Sequence, residues 1–269
     1  MPPRLNIYAS RVELSADLAG HVADLAARAC AQRGRFRIAL SGGSLLDILS
    51  SGLCANPLSD TIDWSNWHVF WADERWVPWS SPDSNYGLAK DRFFSRVPIP
   101  QEHIYAMDDS TDPAATAKTY ESAVAKILRP RQGQMPRFDL ILLGVGEDGH
   151  TASLFPDHPL LAENRAWIAP VLDAPKPPPT RMTMTLPLIN SARTIFFVAV
   201  GPGKADILSK ILRPKGLQQE LPAQLVGPSR GELQWFIDRA AAEKLDANNV
   251  CSSDSSLKAT GAFNIKNFL

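Results

Sequence analysis

The chain reads as an α/β layered fold with a mostly parallel central sheet flanked by helices. Three observations carry this reading. Short apolar, strand-like runs alternate with helix-like periodicity along most of the 269 residues. The run Phe138-Asp139-Leu140-Ile141-Leu142-Leu143 is apolar almost without a break, as a strand covered on both faces must be. Two such runs also pass directly into glycine turns, Ser41-Gly42-Gly43-Ser44 and Gly144-Val145-Gly146-Glu147-Asp148-Gly149-His150. Strands of open α/β sheets end in this way beneath a ligand crevice.

Taken in order, Leu5–Ala9 is a short strand, and Leu14 to Ala31 is a helix. Its apolar positions Leu14, Leu18, Val22, Leu25 and Ala29 recur at three- and four-residue spacing. Phe36–Leu40 is a strand that enters the first glycine turn, with a short helix through Leu49 behind it. Trp67–Trp71 is a strand followed by Asp73-Glu74-Arg75. Thr111 or Asp112 caps a helix that reaches Leu128, with Pro113 in its first turn. Strands then follow at Phe138–Leu143, Trp167–Val171, Arg181–Thr185, Thr194–Val200 and Leu233–Ile237. Helices are expected from Lys204 to Leu212 and from Asp238 to Leu245. Ala174-Pro175-Lys176-Pro177-Pro178-Pro179-Thr180 is an extended, stiff connector, because proline fits neither a helix interior nor a central strand. Residues 1–246 are expected to form one domain. The Asn-, Ser- and Lys-rich stretch 247–269 buries little apolar surface and reads as a mobile tail.

Composition narrows the possible partners. Lys+Arg and Asp+Glu balance at 28 each, so no global field draws the chain to nucleic acid or to a membrane surface. An anionic ligand must be held by a local group of basic residues. Cys30, Cys54 and Cys251 are few and far apart, with neither a disulfide framework nor zinc-ligand spacing. The N-terminus lacks the apolar core of a signal peptide, and no stretch approaches the ~18 apolar residues that span a bilayer. The expectation is a cytoplasmic protein, a monomer or weak homo-oligomer, with a small-molecule ligand.

Four groups of residues carry chemistry. Three glycines in six residues let the backbone turn sharply at Gly144–Gly149 and present Asp148 and His150 at its tip. Ser41, Gly42, Gly43 and Ser44 offer backbone N–H groups at the start of a helix, an anion site that needs no side-chain charge. This turn has no P-loop lysine and no three-glycine dinucleotide spacing, which disfavours a nucleotide. Asp73-Glu74-Arg75 stands between Trp71 and Trp76; Arg75 suits bidentate phosphate recognition, and Asp73 suits orienting a water or an imidazole. Ser84-Asn85-Tyr86 follows with hydroxyl and amide groups for a sugar. Arg181 comes directly after the connector. Lys204 opens a helix, where a cation opposes the dipole and so invites an anion. His21 reads as a helix-surface residue and His68 as structural; His103 and His158 fall in loops, with His158 near enough in sequence to neighbour the site. No metal is expected, since Asp148 and His150 have no further ligands at recognisable spacing. No cofactor is expected either.

These motifs, in this order and at these separations, resemble 6-phosphogluconolactonases. Ser41–Ser44, Asp73–Pro78 with Ser84–Gly87, Gly144–Pro156, and Thr183–Asn190 with Ala192-Arg193 all take part, across residues 5–245. The resemblance implies a Rossmann-like, phosphosugar isomerase-like fold. It also implies hydrolysis of 6-phospho-D-glucono-1,5-lactone to 6-phospho-D-gluconate, the second step of the oxidative pentose phosphate pathway. His150 would act as the general base, oriented by Asp148 or, less well, by Asp73. Ser41, Gly42, Gly43, Ser44, Arg75, Arg181 and Lys204 would hold the phosphate. Glucosamine-6-phosphate deaminases share that fold, but their motif carries a glutamate where this chain has Phe155. A phenylalanine exchanges no protons, so lactone hydrolysis is favoured over deamination. A non-catalytic sugar-phosphate-binding module remains the alternative from another class.

Overall fold

The computed structural model describes residues 3–107, 112–212 and 220–245. The chain runs β1 (Arg4–Tyr8), α1 (Arg11–Arg33), β2 (Phe36–Leu40), α2 (Ser44–Leu53), α3 (Leu58–Thr61), β3 (Trp67–Trp71), β4 (Asp73–Arg75) and α4 (Asn85–Arg92). It continues α5 (Pro113–Leu128), β5 (Leu140–Leu143), β6 (Ile168–Val171), β7 (Arg181–Met184), α6 (Leu186–Asn190), β8 (Thr194–Ala199), α7 (Ala205–Ile211), α8 (Pro222–Leu225), β9 (Glu232–Asp238) and α9 (Arg239–Ala242).

Local chemistry explains where these elements begin and end. Ser10 Oγ accepts from Glu13 N at 3.2 Å and the Glu13 carboxylate accepts from Ala9 N at 3.1 Å, so α1 starts at Arg11, a turn ahead of its apolar stripe. Gly34 at φ 71° ends it. Asp112 caps α5 by accepting from Ala114 N and Ala115 N, with Pro113 at the first helical position. Of the two caps expected, Thr111 lies outside the described residues, as does the stretch 247–269 expected to be a mobile tail.

Six strands form one parallel sheet in the order β1-β9-β8-β5-β2-β3. β2 and β3 build outward to one side, whereas β5, β8 and β9 build to the other. The strand order therefore reverses between β2 and β5, the switch point at which open α/β sheets bind ligands. β3, β5 and β8 are buried along their whole length, and Phe36, Trp67, Phe70, Phe138, Phe196 and Phe197 fill the core around them. Each such side chain contributes roughly 1.5–3 kcal/mol on leaving water. No helix among the described residues is long and apolar enough to cross a membrane.

A second, antiparallel sheet in the order β4-β7-β6 was not anticipated. It pairs Asp73 with Thr183, Glu74 with Met182 and Arg75 with Arg181. A bond from Met184 N to Ala72 O, 2.7 Å, ties it to the end of β3. β4, α4 and α6 were also missed, being short segments with weak periodicity. The helix expected from Asp238 to Leu245 is the shorter α9; Asp238 itself is its cap, the carboxylate accepting from Ala241 N, which sets the start at Arg239.

Candidate active site

Loops leaving the carboxyl ends of β2, β3, β5 and β8 enclose a cavity of about 400 Å³ at the switch point. Ser41, Gly42, Gly43 and Ser44 form one wall, and Asp73 and Arg75 a second. Gly144–Glu147 with His150 and Ala152 form the third, while Val198–Val200 with Lys204 close it. The structure thus brings together all but two of the residues singled out for the site, the exceptions being Asp148 and Arg181.

Asp148 stands directly behind the wall. Its Oδ1 accepts from His150 Nδ1 at 2.5 Å and from His150 N at 3.3 Å. The loop holds this geometry through Gly146 N to His150 O (2.8 Å), Gly149 N to Gly146 O (3.0 Å) and Thr151 Oγ1 to Gly144 O (2.9 Å). Gly146 must be glycine for a steric reason, since a Cβ there would stand 2.0 Å from His150 Nδ1 and 2.5 Å from Asp148 Oδ1. Gly149 turns at φ 86°, in the left-handed region. With Nδ1 donating to a carboxylate, the His150 lone pair is on Nε2. Burial pushes the His150 pKa down, and the bond and charge of Asp148 only partly restore it, so the ring stays neutral below its ordinary range. Burial alone would raise the Asp148 carboxyl, but His150 and Lys176 outweigh it and hold it at about 2.

Strand alternation sorts the Asp73-Glu74-Arg75 cluster. Asp73 and Arg75 face the cavity, whereas Glu74 points away and is buried. Its carboxylate accepts from the N–H groups of Arg75 (2.7 Å), Asn85 (2.7 Å) and Tyr86 (2.8 Å), fixing the start of α4 to β4. Burial pushes Glu74 up to about 7 against these donors, which favour its charged form. Asp73 Oδ2 accepts from Ser153 Oγ at 3.0 Å, and Asp73 O from Asn85 Nδ2 at 2.8 Å. Asp73 is therefore anchored to Ser153, and of the two candidates it is Asp148 that bonds the imidazole. Ser84 and Asn85 are fully buried and cap or brace α4 instead of reaching a sugar. The Asn85 side chain fills the space beside Gly42 that any Cβ would need.

The anion-facing side has three parts. Gly43 at φ 72° leads into α2, where Leu46 N donates to Gly43 O at 3.1 Å and the N–H groups ahead of it have no acceptor within the helix. Ser41 Oγ is buried there without a hydrogen-bond partner among the described residues. Arg75 anchors Nη1 on Asp83 O at 2.9 Å, and Lys204 reaches the cavity from the turn that precedes α7. Asp238 pins that turn, accepting from Gly201 N at 3.0 Å. Burial lowers the Lys204 pKa while nearby Glu147 works to raise it.

Arg181 does not face the cavity, a correction to its expected place on the phosphate. It is buried, and its guanidinium donates to Pro178 O (3.1 Å), Lys176 O (2.9 Å) and Pro177 O (3.0 Å), with Ser153 Oγ at 3.5 Å. The proline-rich connector offers carbonyls but few N–H groups to satisfy them, and Arg181 supplies the missing donors. Sequence reasoning missed Lys176, whose Nζ lies 3.0 Å from Asp148 Oδ2 and which lines the cavity. The signal was present: Lys176 is the one charged residue in Ala174–Thr180. Phe155 packs between the His150 ring, 4.8 Å away, and the Arg181 guanidinium, 5.3 Å away. His158, expected near the site, bonds Asp173 at 3.0 Å and caps the turn at Pro159–Ala162. Among the described residues, no group of three or more His, Cys, Asp or Glu is arranged to hold a metal ion.

An oriented imidazole and three cations, Arg75, Lys176 and Lys204, at the switch point of a parallel sheet are the site of an α/β enzyme for a small anionic substrate. A family model described as glucosamine-6-phosphate isomerases/6-phosphogluconolactonase matches residues 9–235, and the chain belongs to that family. It is 42% identical over 246 residues to a probable chloroplastic 6-phosphogluconolactonase 4 of Oryza sativa subsp. indica, covering 89% of this chain and 76% of the relative. It is also 42% identical over 251 residues to a probable 6-phosphogluconolactonase 1 of Arabidopsis thaliana, covering 90% and 93%. A solved 6-phosphogluconolactonase from Trypanosoma brucei superposes with a TM-score of 0.77 at 27% identity, covering 91% of this chain and 99% of that one.

Proposed function

We propose that this protein hydrolyses 6-phospho-D-glucono-1,5-lactone to 6-phospho-D-gluconate, the second step of the oxidative pentose phosphate pathway. The observation that carries the proposal is the Asp148–His150 pair, whose imidazole lines one cavity with Arg75 and Lys204. A lactone is an activated cyclic ester, so a positioned base for water suffices, and such catalysis is worth ~10²–10⁴-fold. His150 Nε2 removes a proton from water as the oxygen attacks C1. The tetrahedral intermediate then collapses with cleavage of the bond from C1 to the ring oxygen, and His150 returns the proton to that oxygen. Asp148 keeps the proton on Nδ1 and stabilises the imidazolium formed in between. The N–H groups and hydroxyls of Ser41–Ser44, with Arg75 and Lys204, hold the phosphate and set the distance from C6 to the reacting carbonyl.

Phe155 disfavours the deaminase reading. It is buried against the His150 ring and offers no acid for opening a sugar ring. The test adds fresh lactone and follows 6-phosphogluconate through a coupled dehydrogenase above the spontaneous rate. His150→Ala should lose nearly all turnover while still binding 6-phosphogluconate. No wild-type rate above background refutes the activity, and near-normal turnover in the variant removes His150 from it.

A further inference from the structure

We propose that Lys176 is a positioning residue for the Asp148–His150 pair, carried on a proline strut that Arg181 holds rigid. This deepens the lactonase reading and rests on it for its catalytic meaning.

The geometry forms one continuous path. Arg181 is anchored in β7 and buried, and it bonds the carbonyls of Lys176, Pro177 and Pro178. Ala174 N to Pro179 O, 2.9 Å, closes the same segment on itself. The backbone beneath Lys176 is thereby fixed on both sides. From it Lys176 Nζ reaches Asp148 Oδ2 at 3.0 Å, while Oδ1 of the same carboxylate takes His150 Nδ1 at 2.5 Å. With each oxygen engaged by a different donor, the carboxylate cannot rotate about its Cβ–Cγ bond without losing one of them. The imidazole is confined from a second direction by Phe155, which also lies under the Arg181 guanidinium. Arg181 thus braces the pair twice, once through the strut and once through the ring.

Lys176 also brings a charge. The charged groups facing His150 are Asp148 and Glu147 on its own loop, Asp73 and Arg75 on β4, Lys176 on the strut and Lys204 before α7. Lys176 favours the neutral imidazole that a general base must be. It simultaneously favours the ionised carboxylate that orients that imidazole. Both effects serve the same protonation state of the pair.

The test uses Lys176→Met and Lys176→Arg. Lys176 is half exposed, so neither exchange disturbs the core. The pKa of His150 is read from its imidazole resonances by NMR titration of the free protein. In Lys176→Met it should rise by about 0.5–1 unit, the effect of one charge at this range in a partly hydrated site. kcat should fall about tenfold with KM within about twofold, as expected when a base is less well held. Lys176→Arg should restore the wild-type titration. An unmoved imidazole pKa in Lys176→Met overturns the proposal. So does an arginine variant that titrates like the methionine variant, or a loss that falls on KM alone. The titration needs no turnover, so absence of lactonase activity would remove the functional reading and leave this test to be decided separately.

Discussion

Gly146→Ala tests the geometry of the base by adding a single methyl group. A Cβ at this position would stand 2.0 Å from His150 Nδ1, 2.1 Å from Cε1 and 2.5 Å from Asp148 Oδ1. None of these atoms ends a flexible side chain, because the pair is clamped by its own short hydrogen bond. Restoring van der Waals separation requires the imidazole to move by roughly 1.4 Å. A misplacement of about 1 Å costs on the order of 10²-fold in rate, equivalent to about 2.7 kcal/mol in the barrier. Gly146 has no left-handed φ, so alanine brings no backbone strain to confuse the reading. The expected result is a hundredfold loss of kcat in the coupled assay. KM and 6-phosphogluconate binding by calorimetry should change little, because the anion-facing wall lies on other loops. A kcat within threefold of wild type would show that the pair need not hold this position, refuting the assignment of His150 as the positioned base.

The remaining predictions separate binding, protonation and stability. Arg75→Ala should raise KM by about 10- to 100-fold with a smaller effect on kcat, the cost of one charge-assisted hydrogen bond to phosphate; an unchanged KM places the phosphate elsewhere. Because burial pushes the His150 pKa below its ordinary value of 6.5, kcat/KM should stay flat through that pH and fall only as the ring protonates at lower pH. A pH–rate midpoint at or above 7 would contradict this. Asp139→Ala should unfold the protein more easily by about 3–5 kcal/mol in urea titrations. Its buried carboxylate bonds Arg33 Nε (2.9 Å) and Arg37 N (2.9 Å), with Arg193 Nε 3.5 Å away. These lie at the amino ends of β2 and β5, away from the cavity, so kcat of the folded protein should be unchanged.

The parallel sheet was legible because its strands announce themselves. Trp67–Trp71 and Leu140–Leu143 are covered on both faces, and such runs cannot be anything but buried. α1 was legible through its stripe; its first turn, set by Ser10 and Glu13, and its last two residues, which run on to the Gly34 cap, were missed because apolar spacing marks neither. The antiparallel sheet was not legible. β4 is three charged residues, and what makes it a strand is pairing with β7 more than 100 residues later in the chain. No local propensity encodes that contact.

The site divides along the same line. Residues placed by their own loop could be read from the loop: two glycine turns after strands, with Asp148 two residues from His150, are local geometry. Residues placed by distant partners were misassigned or missed. Arg181 is a cation beside a site and reads as a phosphate ligand until its three carbonyl partners are seen. Lys176 is a surface lysine in a proline run until the fold brings Asp148 within 3.0 Å. Phe155, which could be read only as the absence of an acid, proves to be the packing surface shared by His150 and Arg181. The two errors have one cause. Arg181 is held where a carbonyl-rich connector needs donors, and Lys176 is presented because that connector is held. A cation next to an anion-binding cavity therefore has two physical uses, to bind the anion or to fix the segment that does the chemistry. Only the count of its hydrogen-bond acceptors within the protein distinguishes them: an arginine with its guanidinium engaged by backbone carbonyls has little left to give a phosphate, whereas Arg75, anchored through one nitrogen, keeps donors for it.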